Sequence, residues 1–289
     1  MGRFEYRAPT SIAEAVALAA RFGDDARFLA SGTDLLLQIE RRQIAPRHVI
    51  SLARVPGLDS FAANGRIVLG GGVTQRTIEK SAVFQGALRA LVEGAEVIGG
   101  HQVRNVATVA GNIVNASPAA DLVPVLLALD GEVTLVGTTG ERALPLDRFL
   151  LGPGRTDRRP DELLLRVTAP GLPPATGTAF LKTGRRRAME ISIVCVAARV
   201  TLDAAGERAA DVRIALGAVA PRTIRARAAE TALAGQPVTA EAFRAAGALA
   251  VEACDPISDV RASSAFRRHL VATLVPRALA RAVERARVA

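Results

Sequence analysis

Apolar and polar positions along the chain change their period several times, and each change marks an element. Residues 3–8 read as a short strand, and Ser11-Ile12-Ala13-Glu14 is a capping box that opens a helix stopped by Gly23. Residues 27–30 predict a strand running into Ser31-Gly32-Thr33-Asp34, residues 35–43 a helix, and residues 48–52 a further strand closed by Val55-Pro56-Gly57. A hairpin is expected from Phe61-Ala62-Ala63, Asn64-Gly65 and Ile67-Val68-Leu69, because Asn-Gly is the favoured pair for a type I′ turn. Gly70-Gly71-Gly72 follows, then helical stretches near 74–81 and 84–97. From Gln102 to Pro118 the residues are small and polar without a period, which predicts a long irregular segment. A short helix is expected over 121–129 and a hairpin from 132–136 with 141–146.

Pro170, Gly171, Pro173, Pro174 and Gly177 form the sharpest boundary in the chain. Beyond it, 191–202 is a β-branched run whose antiparallel partner is 211–218, and helices are expected near 222–234, 239–253 and 262–286. Arg277, Arg281 and Arg285 recur every fourth residue and predict a solvated helix face.

Length and composition narrow the classes. At roughly 150 residues per domain, 289 residues suggest about two domains. Nine Phe, one Tyr and no Trp are too few for a base-stacking platform. Cys195 and Cys254 cannot make a disulfide framework, an iron–sulfur cluster or an all-cysteine zinc site, and His48, His101 and His269 lack metal-ligand spacing. The net charge is +9, and Lys80 and Lys182 are the only lysines among 37 cations. The arginines are spread along the chain, which speaks against one nucleic-acid patch. No run reaches the ~18 apolar residues of a membrane span, and the N-terminus carries no apolar signal core, so a cytoplasmic protein is expected.

Two segments combine a glycine with small, hydroxyl and amide residues: Ala30-Ser31-Gly32-Thr33-Asp34-Leu35 and Thr108-Val109-Ala110-Gly111-Asn112. Such loops let backbone N–H groups approach an anion, and a diphosphate suits two of them facing each other. Neither a G-x-G-x-x-G after a strand nor a G-x-x-x-x-G-K-[ST] is present, so neither the Rossmann nor the P-loop scheme applies.

These residues resemble a known family. Ala30-Ser31-Gly32-Thr33-Asp34-Leu35-Leu36 is similar to the first FAD-contacting loop of the flavin subunits of molybdenum hydroxylases, the xanthine dehydrogenase and aerobic carbon monoxide dehydrogenase family. The run from Arg104 to Ile113, continued by Asn115-Ala116-Ser117-Pro118 and Asp121-Leu122-Val123-Pro124, resembles that family's second loop. Residues 256–263 and 266–270 resemble its C-terminal domain, so the likeness spans nearly the whole chain.

The resemblance implies an α+β protein with a PCMH-type FAD-binding fold. Two α+β subdomains, 1–55 and 56–176, would clasp FAD, and a C-terminal α+β domain of the CO dehydrogenase flavoprotein type would occupy 178–289. Carried over by position, Phe28, Leu29, Ala30, Ser31, Gly32, Thr33, Asp34 and Leu35 would wrap the diphosphate on one side, with Thr108, Ala110, Gly111 and Asn112 on the other. Ile98, Asp121, Leu164 and Lys182 match further flavin-contacting positions, Lys182 as a cation near the ring.

Some positions depart from the pattern. Ser31 and Ala110 stand where glycine is common, Ile98 where the xanthine dehydrogenase branch has an aromatic ring, and the cysteine-rich insertion of the benzoyl-CoA reductase branch is absent. No residue is implied as a catalytic acid or base. The implied role is electron transfer: [2Fe–2S] clusters on a small partner subunit would feed FAD here, and a large partner would hold the molybdenum-pterin cofactor. A dimer of heterotrimers is the implied assembly.

Among the remaining residues, Glu190 is expected to face the flavin at the domain junction or to lie on the surface. Cys195 reads as inert core, and Cys254 and His101 receive no role. Arg185-Arg186-Arg187 adjoins the expected seam and would dock a partner, steer an anionic acceptor or form a solvated turn. Two rivals remain: a standalone FAD-dependent oxidoreductase of the same fold, and a basic nucleic-acid-binding protein, which would bind with steep salt dependence and be colourless.

Overall fold

A computed structural model describes residues 3–186 and 188–289. The first strands, β1 (Glu5–Arg7), β2 (Ala26–Leu29) and β3 (His48–Ser51), form a parallel sheet in the order β1-β3-β2. Helix α1 (Ile12–Phe22) starts where Ser11 accepts from Glu14 N–H and ends at Gly23. It buries Ala15, Val16 and Ala19 against this sheet. Helix α2 (Leu35–Glu40) is shorter than the pattern predicts, and the chain turns away with Arg42 at φ 57°.

An antiparallel sheet follows, in the order β4-β5-β10-β6-β7. In the hairpin of β4 (Phe61–Asn64) and β5 (Arg66–Gly70), Asn64 pairs with Arg66 and only Gly65 takes a positive φ, so the expected type I′ turn does not form. Helices α3 (Gln75–Lys80) and α4 (Arg89–Glu96) come next. The segment expected to be irregular holds two short helices, α5 (His101–Val106) and α6 (Val109–Val114). Thr108 caps α6, and its first N–H groups donate to the β5–α3 connection: Val109 to Val73 O and Ala110 to Gly71 O. A Cβ at Gly71 would stand 2.4 Å from Leu164 O and 3.2 Å from Ala110 Cβ, so glycine lets α6 lie directly on the sheet.

All of α7 (Leu122–Ala128) is buried. Strands β6 (Glu132–Gly137) and β7 (Gly140–Pro145), helix α8 (Leu146–Phe149) and the small pair β8 (Leu150–Gly152) and β9 (Arg155–Thr156) lead to β10 (Leu163–Pro170). A bulge between Leu164 and Arg166 shifts the alternation of β10. Leu163 and Leu165 pack with α1 and the first sheet, while Leu164, Val167 and Ala169 join the central core.

The last sheet runs β11 (Thr176–Thr183), β12 (Val194–Leu202), β13 (Ala209–Gly217) and β14 (Ile224–Arg225), so part of the expected 222–234 helix is strand. Helices α9 (Arg227–Leu233), α10 (Ala240–Glu252) and α11 (Ser264–Ala286) follow, and α10 and α11 contribute to the core on one side of the sheet. The sheet is buried on both faces, with period two: Val194, Val196 and Ala198 join that core, while Cys195 and Ala197 join the central core shared with α7.

The arginine stripe of α11 is not simply solvated. Arg285 makes a two-armed ion pair with the buried Glu93 of α4, and Arg281 lies 3.2 Å from the same carboxylate. Arg277 alone of the three is exposed without that partner.

Candidate functional site

A cleft of about 900 Å³ opens between the β2–α2 loop, α5 and α6, the β8–β9 pair, the start of β10 and the segment after β11. Phe28, Ala30, Ser31, Gly32, Thr33, Asp34, Leu35, Ile98, Thr108, Ala110, Gly111, Asn112, Asp121 and Leu164 all line it. Leu29 and Lys182 do not. Leu29 packs beneath Gly32, and Lys182 lies one layer behind Asp121.

The two small-residue loops differ in what they offer. Among the described residues, nothing accepts from the backbone N–H groups of Ser31, Gly32, Thr33, Asp34 and Leu35. Gly32 at φ 84° turns this row of donors. At α6 the first-turn donors are already engaged: Gly111 N–H meets Thr108 Oγ1 at 3.1 Å and Asn112 N–H meets Thr108 O at 3.0 Å, besides the Val109 and Ala110 bonds to the sheet. The expectation of a matching N–H cradle on the second loop is therefore corrected. The α6 side supplies shape, and the first loop supplies the donors. Gln38 Nε2 donates to Asn115 Oδ1 at 3.2 Å and ties α2 to the end of α6 across the cleft.

Charge is distributed unevenly. Arg27, Arg155 and Arg158 line the end near β2 and β9, together with Asp24. Arg158 donates to the carbonyls of Arg159, Pro160 and Glu162, and burial, then repulsion from Arg27, holds its pKa below the usual value. Burial raises the pKa of Asp34 within the first loop.

At the opposite end, Asp121 accepts from Lys182 Nζ at 2.7 Å and from the Ser192 hydroxyl. Burial pushes the Asp121 pKa up, and the Lys182 charge and both hydrogen bonds pull against that. Lys182 also donates to Val97 O and Glu190 O, so it reaches the cleft through Asp121 and does not face it. Glu190 does line the cleft, and its buried carboxylate lies 3.6 Å from Arg185 and 3.5 Å from Arg186. Arg187, the third residue of that run, lies outside the described residues. Ile98 and the half-exposed Ile191 set apolar surface beside the Asp121 and Glu190 carboxylates.

Other residues behave as the sequence suggests or stand apart. Cys195 is fully buried, and burial raises its thiol pKa strongly. Burial pushes Cys254 up to about 11, and its thiol donates to Ala250 O. His101 Nδ1 lies 3.1 Å from Arg104, whose guanidinium pairs with Glu79. Sequence reasoning misses Arg27, Arg155 and Arg158, because nothing separates them from the many other arginines. It also misses Gln75, whose side chain is fully buried beside the cleft, with neither polar atom partnered among the described residues.

A dinucleotide fits these residues. The free N–H row suits a diphosphate, the buried Asn112 Oδ1 and Gln75 amide lack partners among the described residues, and the far end, with Ile98 and Ile191 beside Asp121, suits an aromatic ring system with polar edges.

Residues 2–172 match the family described as the FAD binding domain in molybdopterin dehydrogenase, and residues 179–282 match the CO dehydrogenase flavoprotein C-terminal domain. The carbon monoxide dehydrogenase medium chain of Hydrogenophaga pseudoflava is 33% identical over 278 residues, covering 96% of each chain. The xanthine dehydrogenase FAD-binding subunit of Escherichia coli O157:H7 is 32% identical over 282 residues, covering 96% of this chain and 95% of that one. Among solved structures, carbon monoxide dehydrogenase from Hydrogenophaga pseudoflava superposes with a TM-score of 0.93 at 34% identity, covering 98% of each chain. Quinoline 2-oxidoreductase from Pseudomonas putida 86 gives a TM-score of 0.90 at 28% identity, again covering 98% of each.

Proposed function

The chain belongs to the family of FAD-binding subunits of the molybdopterin dehydrogenases, and from that premise we propose how its residues serve electron transfer within a multi-subunit molybdenum hydroxylase. The observation that carries the proposal is the free N–H row of Ser31–Leu35 facing α6 across the cleft. That row holds the FAD diphosphate, with Thr108, Gly111 and Asn112 closing on it from the other wall. When bound, FAD supplies the redox chemistry, taking electrons from partner [2Fe–2S] clusters and passing them to an acceptor. This chain binds and orients it. Ile98 and Leu164 flank the ring end, and Asp121, held by Lys182 and Ser192, fixes a polar group there.

The relatives are named as medium chains and subunits, which supports partners for this chain too. We place it beside a large molybdenum-pterin subunit and a small iron–sulfur subunit, as a dimer of heterotrimers in the cytoplasm. No helix among the described residues is long and apolar enough to cross a membrane. The standalone-oxidoreductase and nucleic-acid-binding readings are not favoured. Many of the arginines are engaged in ion pairs within the fold, as where Asp130 meets Arg199, Arg213 and Arg225.

Purified alone, the chain is expected to be yellow, to carry no stoichiometric iron or molybdenum, and to leave its flavin oxidised when the substrate of the complex is added. Metal analysis and anaerobic absorbance spectra decide this. Bleaching of the flavin by substrate in the absence of partners would favour a standalone oxidoreductase.

We further propose that Arg185 and Arg186, beside Glu190 of the cleft lining, dock the electron-donating partner or steer an anionic acceptor. Arg185→Ser with Arg186→Ser should leave FAD bound, because the diphosphate loop is elsewhere. It should slow complex formation or acceptor-side turnover and weaken the dependence on ionic strength. Assembly and turnover equal to the parent at low and high salt would reduce the pair to a clamp on Glu190.

A further inference from the structure

Gln75 is the first residue of α3. Thr74 caps the helix, and Gln75 N–H donates to Ala107 O at 2.9 Å, so its backbone is satisfied. Its side chain is not. The residue is fully buried, yet neither Oε1 nor Nε2 has a partner among the described residues, and it borders the cleft. A buried amide lacking both a donor and an acceptor partner is rare in a folded protein and points to a group that arrives from outside.

The group must both donate and accept. A diphosphate only accepts, which would leave Oε1 unsatisfied, and the dimethylbenzene edge of a flavin does neither. Position narrows the choice further. Ala107, which accepts the Gln75 N–H, lines the cleft together with Val103, Gly99 and Ile98, and Met189, from the segment after β11, packs against Gly100. Gln75 is thus joined through Ala107 to the α5 wall of the cleft, which Ile98 and Gly99 lead into, and not to the arginines of the β2 and β9 end, where an adenine would sit. We propose that the Gln75 carboxamide reads the pyrimidine edge of the flavin: Nε2–H donates to a ring carbonyl, and Oε1 accepts from the ring N3–H. Paired in this way, Oε1 and Nε2 each gain a partner from one flat edge that presents an acceptor beside a donor. The assignment rests on the proposed FAD occupancy of the cleft.

The test compares FAD with N3-methyl-FAD, which keeps the carbonyls and lacks the N3–H. Apoprotein is titrated with each flavin, for the parent, Gln75→Leu and Gln75→Glu. The parent should bind FAD about tenfold more tightly than the methylated analogue, as a lost hydrogen bond with an unpaired buried acceptor implies. Gln75→Leu should weaken FAD binding by a similar factor, lose the preference, and melt no lower than the parent apoprotein. Gln75→Glu, which keeps an acceptor, should retain the preference while lowering the midpoint potential of the bound flavin, and it serves as the test should the leucine variant not fold. An undiminished preference in Gln75→Leu, or no preference in the parent, overturns the assignment. A parent that binds neither flavin overturns the FAD reading instead.

Discussion

Gly111→Val is expected to fold and to emerge almost free of flavin, with occupancy at least about tenfold below the parent. A Cβ at Gly111 would meet only Thr108 Oγ1, at 3.1 Å, a close contact that a small shift of that side chain relieves, with space beyond it for a side chain. That room is the cleft itself, opposite the free N–H row of the first loop. A branched side chain there would take the space in which a diphosphate contacts both walls. The flavin-to-protein ratio after desalting, read beside a circular-dichroism melt, checks the claim, and Gly111→Ala should fall between the two. Full occupancy in Gly111→Val would overturn the two-wall arrangement. Gly32→Val is a poorer probe: at φ 84° a side chain is strained, and its Cβ would fall 2.7 Å from Leu36 Cδ1. Flavin loss there would mix local misfolding with blocked binding.

Glu93→Leu is expected to cost about 3–5 kcal/mol, the range found when one partner of a buried ion pair is removed. The Glu93 carboxylate accepts from both arms of Arg285, from the Phe180 N–H at 2.9 Å and, at longer range, from Arg281. With it gone, the mostly buried Arg285 guanidinium loses its counter-charge and the Phe180 amide its acceptor. For a chain of this length the melting temperature should fall by roughly 10 °C. Glu93→Gln, which keeps an acceptor for Phe180, should fall by less. The α4 helix leads directly to Ile98, so flavin should also leave the leucine variant faster. An unchanged melting temperature would show that the buried pair contributes nothing net.

Where local chemistry decides, the sequence can be read. The Ser11 cap, the Gly23 stop and the paired runs of β12 and β13 carry their signals in neighbouring residues. Helix α6 does not, because Gly111 and Asn112 are poor helix formers. It forms because Thr108 caps it and the carbonyls of Gly71 and Val73, far off in the chain, take its first N–H groups. The stripe of Arg281 and Arg285 reads as solvated for a similar reason, since its partner Glu93 lies nearly two hundred positions away. Within the site, the small-residue loops are legible through their resemblance to a family. Gln75 is not, because a glutamine at a helix start ordinarily faces water, and here segments distant in the chain, such as that at Ala107, bury it. Lys182 is legible as a functional position, but its place behind Asp121 depends on how β11 meets α7.

The ion pair between α4 and α11 also sets an order of events during synthesis. Glu93 leaves the ribosome early, whereas Arg285 is made nearly two hundred residues later. Until then α11 is not locked onto α4, and the Glu93 carboxylate lacks both arms of Arg285. Every residue that lines the cleft, by contrast, lies before Ser192, and the β11–β12 pair that fixes Lys182 against Asp121 is complete well before Arg285 is made. The residues that hold the flavin therefore precede those that lock the last helix. A ribosome stalled within that helix should display a nascent protein that already takes up flavin and melts below the finished chain.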